Sequence, residues 1–484
     1  MIIRRVGVQA LTMVAVAVLF LAGNSSAQTA VTSTQADQQQ VMLTVYNSNI
    51  ALVRDVRRVH LPTGQIELGF SGVAPQIEPA SVQVVSRTAP KDFSVLEQDY
   101  RYDLLDPQKL LKKYVGKQIT LVRRVTENNS TKEVPVKATL LADSNGLVWK
   151  VGDQIVTGMG ADHYIFPALP AGLYSKPTLV WLVNNRFSGP QTLEADYLTK
   201  SVNWTANYIL TLPAEKQTAA LNAWVTINNQ SGTAFRDAEL QLVAGQVHRA
   251  AQEVRPMMRM QALKADTLGG LAGGVTEQPL SEYHLYTIQR KVSLPNNDSK
   301  QISLLGSSSI KFEKTFQVNG QSYYYYSPLQ GGQPVKEPVQ AHIKFKNSEA
   351  NSLGVPLPAG VVRVYQTDAN GNLELIGEDN IHHTPKDETL NLYIGNAFDV
   401  RAERKQTDFE RLGNNLYEEA FQITLHNHKT EPISVEVNEP LGGQWTILNS
   451  NYKYEKISAF SVRFTVPVAA GGNSVLTYRV RIER

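Results

Sequence analysis

The sequence contains no cysteine among its 484 residues. This absence excludes disulfide bonds, thiolate metal sites, catalytic thiols and a lipid-modified N-terminal cysteine. A chain of this length buries about three quarters of the surface that it exposes when unfolded, so hydrophobic cores alone can stabilise it. Because long secreted eukaryotic proteins usually carry cysteine pairs, the absence favours a protein of the bacterial envelope.

An excess of basic charge is also missing, since 47 Lys and Arg residues stand against 44 Asp and Glu residues. Nucleic acids and anionic lipids attract proteins with a basic surface. The phosphate loop, the dinucleotide fingerprint and the Gly-x-Ser-x-Gly elbow are absent as well. The sequence therefore disfavours nucleic-acid binding and nucleotide chemistry, and it predicts no cofactor.

Long apolar runs are absent except at the N-terminus. Two arginines precede the apolar residues 6–22, and the small residues of 25–27 follow them. This pattern predicts a secretory signal peptide over residues 1–27. The alternative is a permanent membrane anchor, for which the run is at the short limit of length. We expect cleavage, export to the periplasm or the medium, no later membrane span and no lipoprotein anchor.

After residue 40 the sequence pattern predicts short β-strands separated by Gly, Pro and Asn residues. This texture is typical of antiparallel sandwiches or barrels, and it predicts an all-β protein of several sandwich-like modules. The sequence predicts five further segments: a disordered leader (28–40), an N-terminal β region (41–190), a central β-sandwich (191–338), a Met/Gly-rich mobile loop within it (250–278) and a C-terminal β-sandwich (339–484).

One short helix is expected in the N-terminal β region. Asp106 supplies an N-cap, Pro107 suits the first helical position, and Gly116 provides a stop. A small inserted β module follows it, with a hairpin signal at Asn145-Gly146.

Two histidines, His426 and His428, share one face of a predicted strand. Zinc enzymes use such spacing, and a catalytic zinc needs three protein ligands and an open position. Further candidate ligands in the sequence are His382, His383, Glu418 and Glu419. The favoured interpretation is that both histidines face solvent on an edge strand, so no metal ligand is assigned.

Oxygen-bearing side chains at Asp368, Asn370, Asn372 and Asp379 have the spacing of a calcium loop. However, Gly371 stands at the fourth position of the loop, whereas an EF-hand requires glycine at the sixth. A tight hairpin through Asn370-Gly371 explains the same residues and is the favoured interpretation.

Nucleophilic catalysis has little support in the sequence. Ser308 and Lys311 form a Ser-x-x-Lys pattern, but that chemistry needs a helix, and these residues read as part of a strand. No catalytic residue is assigned.

Carboxylate pairs raise the possibility of glycoside hydrolysis. The candidates are Glu97, Asp99 and Asp103 in the N-terminal region and Glu436 and Glu439 near the C-terminus. A glycosidase requires two such groups about 5 to 10 Å apart in a cleft. The tyrosine run 323–326 offers rings that stack on sugars, or else strand residues that alternate between core and solvent.

Several segments resemble an uncharacterised group of exported bacterial proteins. They are residues 43–47, 50–54, 220–229, 240–249, 282–286 and 354–365. That group carries a C-terminal domain of unknown function 4139 and is distantly similar to proteins named mucoidy inhibitor A. The resemblance implies a β-rich exported protein and supplies no catalytic or ligand residues.

The residues in these segments have mostly structural interpretations. Trp224 lies in an alternating strand and is expected to anchor the core. His248 and Arg249 follow an apolar run, and capping of a strand end is favoured over a functional role for this pair.

Three functions remain open from the sequence. The first is a non-catalytic envelope scaffold that binds a cell-envelope protein or polysaccharide through sheet edges or the 250–278 loop. The second is a hydrolase of envelope polysaccharide, and the third is metal-dependent chemistry at His426 and His428. The sequence favours the first and assigns no oligomeric state.

Overall fold

A computed structural model shows an all-β chain, as the sequence predicts: 66% of it is strand and 5% is helix. The structure describes residues 29–127, 130–144, 146–168, 170, 173–213, 218–245, 247–249, 268–271, 274–329 and 333–484. The predicted signal peptide 1–27 lies outside the described residues. The described chain contains no helix with the length and hydropathy of a membrane span.

The described strands follow one another in three stretches of sequence. The first contains β1 (Thr29–Ser33), β2 (Gln38–Tyr46), β3 (Ile50–Leu61), β4 (Gly64–Ser71), β5 (Gln83–Ser86), β6 (Phe93–Arg101), helix α1 (Pro107–Lys113), β7 (Gln118–Glu127), β8 (Ser130–Ala142), β9 (Val148–Val151), β10 (Gln154–Thr157), β11 (His163–Ile165) and β12 (Thr178–Asn185). The second contains β13 (Gly189–Lys200), β14 (Val202–Leu212), β15 (Thr218–Asn229), β16 (Phe235–Ala244), β17 (Leu268–Leu271), β18 (Val275–Leu280), β19 (Tyr283–Leu294) and β20 (Asp298–Asn319). The third contains β21 (Val335–Glu337), β22 (Gln340–Lys346), β23 (Gly360–Thr367), β24 (Leu373–Ile381), β25 (Thr389–Asn396), β26 (Val400–Arg411), β27 (Leu416–Asn427), β28 (Ile433–Pro440), β29 (Gln444–Ser450), β30 (Tyr454–Ser458), β31 (Ser461–Val468) and β32 (Asn473–Glu483). Short 3-10 turns occur at Gln35–Asp37, Pro79–Ser81, Ser322–Tyr325 and Glu349–Asn351.

These strands form five sheets within the described part of the chain. Their orders are β1-β4-β12-β6 (the N-terminal sheet), β10-β9-β8-β7-β11 (the module sheet), β17-β18-β19-β16-β2-β3-β13-β5 (the eight-stranded sheet), β24-β23-β14-β15-β20-β28-β31-β30 with β22 paired to β20 and β25 paired to β22 (the ten-stranded sheet), and β21-β26-β27-β32-β29 (the C-terminal sheet). Most neighbours are antiparallel, but β1–β4, β2–β16, β14–β23 and β20–β28 are parallel pairs.

Two large cores fill the space between these sheets. The first draws apolar side chains from the N-terminal, eight-stranded and ten-stranded sheets, with Phe70, Leu43 and Leu210 as examples. The second lies between the C-terminal sheet and the strands β20, β28 and β31 of the ten-stranded sheet, an arrangement that we call the C-terminal sandwich. Strand β20 contributes to both cores, because Ile310 belongs to the first and Val318 to the second.

Strand pairing crosses the module boundaries that the sequence predicts at 190/191 and 338/339. Strand β3 pairs with β13, and β2 pairs with β16, which brings the N-terminal region into one sheet with the central strands. Strand β22 pairs with β20, and β23 pairs with β14. The central and C-terminal parts therefore share the ten-stranded sheet.

The prediction of a disordered leader at 28–40 is wrong for residues 29–40, which the structure describes. Strand β1 pairs in parallel with β4, and β2 begins at Gln38. Two features anchor this polar segment: the pairing of β1 with β4 and the contacts of Arg57. The Arg57 guanidinium, which is fully buried, pairs with Asp55 at 2.7 Å and donates to the carbonyls of Ser33 and Ser71. These bonds hold the leader against the eight-stranded sheet, because an unpaired buried guanidinium would be costly.

The predicted mobile loop 250–278 is only partly described. Residues 250–267 and 272–273 lie outside the described residues. The remainder is not a loop, since residues 268–271 form β17 and pair with β18, which begins at Val275. The glycine-rich composition misled the prediction there, because the edge of the eight-stranded sheet supplies the backbone partners.

The predicted helix of the inserted module is confirmed, whereas Asn145 of the predicted hairpin turn lies outside the described residues. Asp106 caps α1 by accepting from the Lys109 backbone N–H at 2.9 Å, with Pro107 at the first position. Trp149 and Tyr114 are buried in a small core that the module sheet and α1 share. The module therefore has a core of its own.

Four buried asparagines end or follow strands in the same way, and we call them the asparagine corners: Asn185, Asn229, Asn347 and Asn427. In each corner the Nδ2 group donates to three backbone carbonyls, two of which belong to consecutive residues. The Oδ1 atom accepts a backbone N–H from the turn that follows. Since buried carbonyls need partners, each corner fastens a strand end to another segment.

The corner at Asn229 gives a direct test of this role. Its Nδ2 donates to the carbonyls of Thr233, Leu294 and Pro295 at 2.8 to 3.1 Å. We expect Asn229→Ala to lower the free energy of unfolding by about 2 kcal/mol, because three partly or fully buried carbonyls lose their donor.

Urea unfolding followed by tryptophan fluorescence measures this change. The control is Asn228→Ala on the opposite face of β15, where the side chain is only partly buried and bonds to Asn203. A loss at Asn229 no larger than the loss at Asn228 would contradict the role of the corner.

Candidate functional site

The tyrosine run 323–326 lies in a 3-10 turn (Ser322–Tyr325) and its C-cap Tyr326, which we call the tyrosine turn, rather than in the strand that its β propensity suggests. Tyr324 and Tyr325 are 4% and 2% exposed, whereas Tyr323 and Tyr326 are 59% and 62% exposed. A 3-10 turn has about three residues per turn, so positions three apart share a face. Two rings therefore anchor the turn in the C-terminal sandwich and hold the other two in solvent.

The carboxylates Glu436 and Glu439, considered from the sequence as a pair, lie on opposite faces of β28. Glu436 lies on the outer face, where Lys344 and Gln317 each bond to it at 2.9 Å. Glu439 is fully buried in the core. Because residues an odd number apart in a strand point to opposite sides, these two groups cannot act on one bond.

Glu439 belongs instead to a buried ionic network around Arg404. The Arg404 guanidinium on β26 contacts Glu439 at 2.6 Å and Glu337 on β21 at 2.8 Å. Its carbon lies 4.9 Å from the centre of the Tyr324 ring and 5.7 Å from that of Phe421. One arginine thus joins two strands and the tyrosine turn, with both its charge and its flat faces in contact.

Two tyrosine hydroxyls complete the network. Tyr325 donates to Glu439 Oε2 at 2.5 Å, and the Tyr478 hydroxyl lies 2.8 Å from that of Tyr325. Burial, and then the charge of Glu439, raise the pKa of both phenols well above the ordinary value. Burial opposes the charge of Arg404, but Glu439 and the other acidic neighbours more than offset it and hold the Arg404 pKa well above its usual range. The two phenols therefore stay neutral and the guanidinium stays charged near neutral pH.

The position of the Glu439 side chain also explains why residue 320 is glycine. A Cβ atom at Gly320, directly after β20, would overlap Glu439 Oε2 and crowd Pro440. The chain can turn from β20 into the tyrosine turn only with no side chain at this position.

Another buried carboxylate, Glu419 on β27, lies on the same inner face as Phe421. Burial raises the pKa of Glu419 to about 7, although Arg484, at 3.2 Å from its Oε1, lowers it. Glu419 Oε2 and Gln406 Nε2 are buried and make no hydrogen bond to any described residue, although the amide is near enough to favour the charged carboxylate. This carboxyl group can therefore exchange a proton near neutral pH.

Arg484 connects Glu419 with the protein surface. Its guanidinium lies 5.0 Å from the centre of the Tyr326 ring and 4.4 Å from that of Tyr417. We call the whole assembly the tyrosine site. It comprises Tyr323, Tyr324, Tyr325, Tyr326, Glu337, Arg404, Gln406, Tyr417, Glu419, Glu439, Tyr478 and Arg484.

The tyrosine site lies within a segment that matches a family model. Residues 193–483 match the model described as a domain of unknown function, DUF4139. The chain belongs to the DUF4139 family. Among curated proteins, none matches the sequence. The match includes every residue of the tyrosine site except Arg484, the residue directly after it.

His426 and His428 of the DUF4139 region lie beside each other at the end of β27. His426 and His428 stack with ring centres 6.4 Å apart, and His426 Nδ1 lies 2.8 Å from Asn473 Oδ1. They share the outer face as expected, but β27 lies between β26 and β32, so the expectation of an edge strand is wrong. Among the described residues, no three His, Asp or Glu side chains are grouped so as to hold a metal ion.

The calcium-like segment is a hairpin between β23 and β24. Both carboxylate oxygens of Asp368 accept bonds from its own loop, from the Asn370 and Asn372 backbone N–H groups and the Asn372 amide. The hydrogen bonds from Asn372 are the main cause that lowers the pKa of Asp368. Gly371 takes a positive φ of 87°, as the turn requires. The hairpin interpretation is confirmed.

Other sequence candidates also have structural roles. Ser308 and Lys311 lie in strand β20 and not in a helix, as expected. Asp103 pairs with Lys109 of α1 at 3.1 Å. Glu97 and Asp99 are exposed on β6, which is the last strand of its sheet.

Two expectations about the central strands can be compared with the structure. Arg249 bonds to Glu78 at 2.6 Å, which ties the segment after β16 to a 3-10 turn. Trp224 is 37% exposed, so the expectation of a core anchor is wrong. The alternation of β15 places Ala223 and Val225 inward, and Trp204 of β14 takes the buried position.

His284 lies near His383 at one end of the eight-stranded sheet, a proximity that the sequence did not predict, although His382 and His383 were among its candidates. His284 Nδ1 is 2.8 Å from Glu277 Oε1, and the neighbouring Tyr286 donates to the Pro356 carbonyl at 2.9 Å. His383 Nδ1 accepts the Ala359 backbone N–H, which fixes the neutral ring. Burial first, then His284 and His382, lower the pKa of His383. These contacts bring together three segments of the family resemblance, 240–249, 282–286 and 354–365, since the Tyr283 ring covers Gly245.

Proposed function

We propose that this protein is an exported, non-catalytic β-scaffold of the bacterial cell envelope that binds a surface polysaccharide or a protein partner through the tyrosine site. The carrying observation is the tyrosine turn, in which two buried rings hold two exposed rings in place. Tyrosine, with an apolar body and a polar tip, is enriched at binding surfaces and loses little conformational entropy there. Exposed rings contribute little to the stability of the fold, whereas a rigid pair of them favours binding of a ligand.

The sequence supports the exported location of this proposal. The N-terminal residues have the pattern of a signal peptide, and the lack of cysteine suits an envelope compartment without lipid attachment. The likeness to exported proteins related to mucoidy inhibitor A points to the cell surface. Periplasm and medium are both compatible with this reasoning.

Substitution of the exposed rings tests the proposal. We expect Tyr323→Ala/Tyr326→Ala to lower retention on immobilised envelope polysaccharide or recovery of an envelope partner at least about tenfold, which corresponds to the binding free energy of two aromatic contacts. The free energy of unfolding should change by less than about 1 kcal/mol, because the rings are exposed.

The matched control is Tyr102→Ala, which removes a tyrosine that is 70% exposed in the N-terminal part. Affinity electrophoresis in purified envelope polysaccharide and pull-down from envelope extracts measure the two kinds of ligand. Equal retention of the double variant and the control would refute the role of the tyrosine site.

A second candidate function, hydrolysis of envelope polysaccharide, is supported by one observation. Glu419 has a pKa of about 7 because of burial, as the general acid of a glycosidase does. Release of reducing ends from labelled polysaccharide by the pure protein, lost in Glu419→Gln, would favour this function. No release from any envelope polymer would exclude it.

A further inference from the structure

The Arg484 guanidinium occupies a box made of two aromatic rings and two acceptors. Tyr326 and Tyr417 present their faces at 5.0 and 4.4 Å. Glu419 Oε1 lies 3.2 Å from Nη2, and the Tyr326 carbonyl lies 3.4 Å from Nη1. All four contacts are made to the cationic group, so the box has the chemistry of a receptor for a guanidinium.

Each wall of the box favours a planar cation. A guanidinium near a tyrosine face gains cation–π attraction, and a carboxylate gains a charge-assisted hydrogen bond. Arginine fits such a box better than lysine, because its flat fork stacks and donates at once. The second oxygen of Glu419 is buried near the Gln406 amide, and Arg484 does not contact it.

The Arg484 side chain can move out of the box without disturbing the backbone that carries it. Arg484 directly follows β32, and its backbone N–H bonds to the Asn415 carbonyl at 2.9 Å, independently of the box. Its side chain is 22% exposed, and the Tyr326 ring lies at the surface. Removal of this one side chain from the box would leave the buried carboxyl group of Glu419 and two ring faces without a cation.

We propose that Tyr326, Tyr417 and Glu419 form an arginine receptor, which Arg484 fills within the chain and an arginine side chain of a protein partner fills in its place. The inference rests on the proposed function, since it names the chemistry by which the tyrosine site takes a protein partner. Because Arg484 lowers the pKa of Glu419, its departure raises that pKa, and an incoming guanidinium lowers it again and restores the charged pair. The Glu419 carboxyl group and the Tyr326 carbonyl together favour a planar donor.

A variant that lacks the Arg484 side chain, and so has an empty box, tests the receptor directly. We expect Arg484→Ala to bind N-acetyl-L-argininamide in the millimolar range, at least about tenfold more tightly than N-acetyl-L-citrullinamide, which has the same shape without the charge. NMR chemical-shift perturbation of the full chain measures both affinities. The wild-type protein should bind the arginine amide more weakly than the variant, because Arg484 competes.

Two further variants make the result decisive. Arg484→Ala/Tyr417→Ala should lose the preference for the arginine amide, and Arg484→Gln, which keeps a hydrogen-bonding group, replaces Arg484→Ala if that variant fails to fold. Equal affinity for the two amides, or no binding to a folded vacated variant, would overturn the receptor. If the receptor fails while Tyr323→Ala/Tyr326→Ala still abolishes retention on polysaccharide, the proposed function stands without it.

Discussion

Arg404→Met is expected to lower the free energy of unfolding by about 4 kcal/mol at neutral pH. The substitution keeps a similar apolar volume but leaves Glu439 and Glu337 buried without their shared cation. A buried charge that has lost its partner costs far more than the pair gains when both are present. Equilibrium unfolding in urea, followed by far-UV circular dichroism, measures the loss.

The matched control is Arg479→Met on β32. Arg479 also contacts two carboxylates, Asp408 and Glu418, but its side chain is about one third exposed. Water screens this cluster, so we expect a loss below about 1 kcal/mol. Similar losses for the two variants would show that burial does not set the strength of the Arg404 network.

Glu419→Gln is expected to stabilise the protein in a pH-dependent way. Burial raises the pKa of Glu419 from 4.5 to about 7 in the folded chain. The unfolded chain therefore releases this proton first as the pH rises, and the wild-type protein loses stability between about pH 4.5 and about pH 7. The variant does not titrate there, so its advantage over the wild type should grow by up to roughly 3 kcal/mol across this window.

Urea unfolding at about pH 4.5 and about pH 8 measures the difference between the two proteins at each end of the window. Glu418→Gln is the control, since it removes a carboxylate from the adjacent position on the outer face, where Arg481 contacts it. An advantage of Glu419→Gln that is equal at both pH values would contradict the raised pKa.

The sequence predicted the features that depend on neighbours along the chain. The N-cap at Asp106, the hairpin through Asn370-Gly371 and the all-β composition follow from local rules, and the structure confirms them. It did not predict the order of residues 29–40, because their partners β3 and β4 come later in the chain. Pairing between distant strands, such as β2 with β16, has no local signal.

More of the candidate site could have been predicted from the sequence, because strand alternation determines which face a residue occupies. The odd separation of Glu436 and Glu439 was enough to place them on opposite faces of a strand. The same alternation puts Arg404 inward after Val400 and Ala402, which marks it as a buried charge that needs partners. The identity of those partners could not be predicted, since Glu337 and Glu439 come from other strands.

The extent of the family match differs from the extent of the sheet that contains it. The match begins at residue 193, inside β13, whereas the eight-stranded sheet also needs β2, β3 and β5 from the preceding region. A chain trimmed to 193–483 would leave the backbone edges of β13 and β16 bare, and bare edges recruit other chains. We therefore expect residues 193–483 alone to associate more readily than the whole chain, because three neighbours in their largest shared sheet lie outside the matched segment.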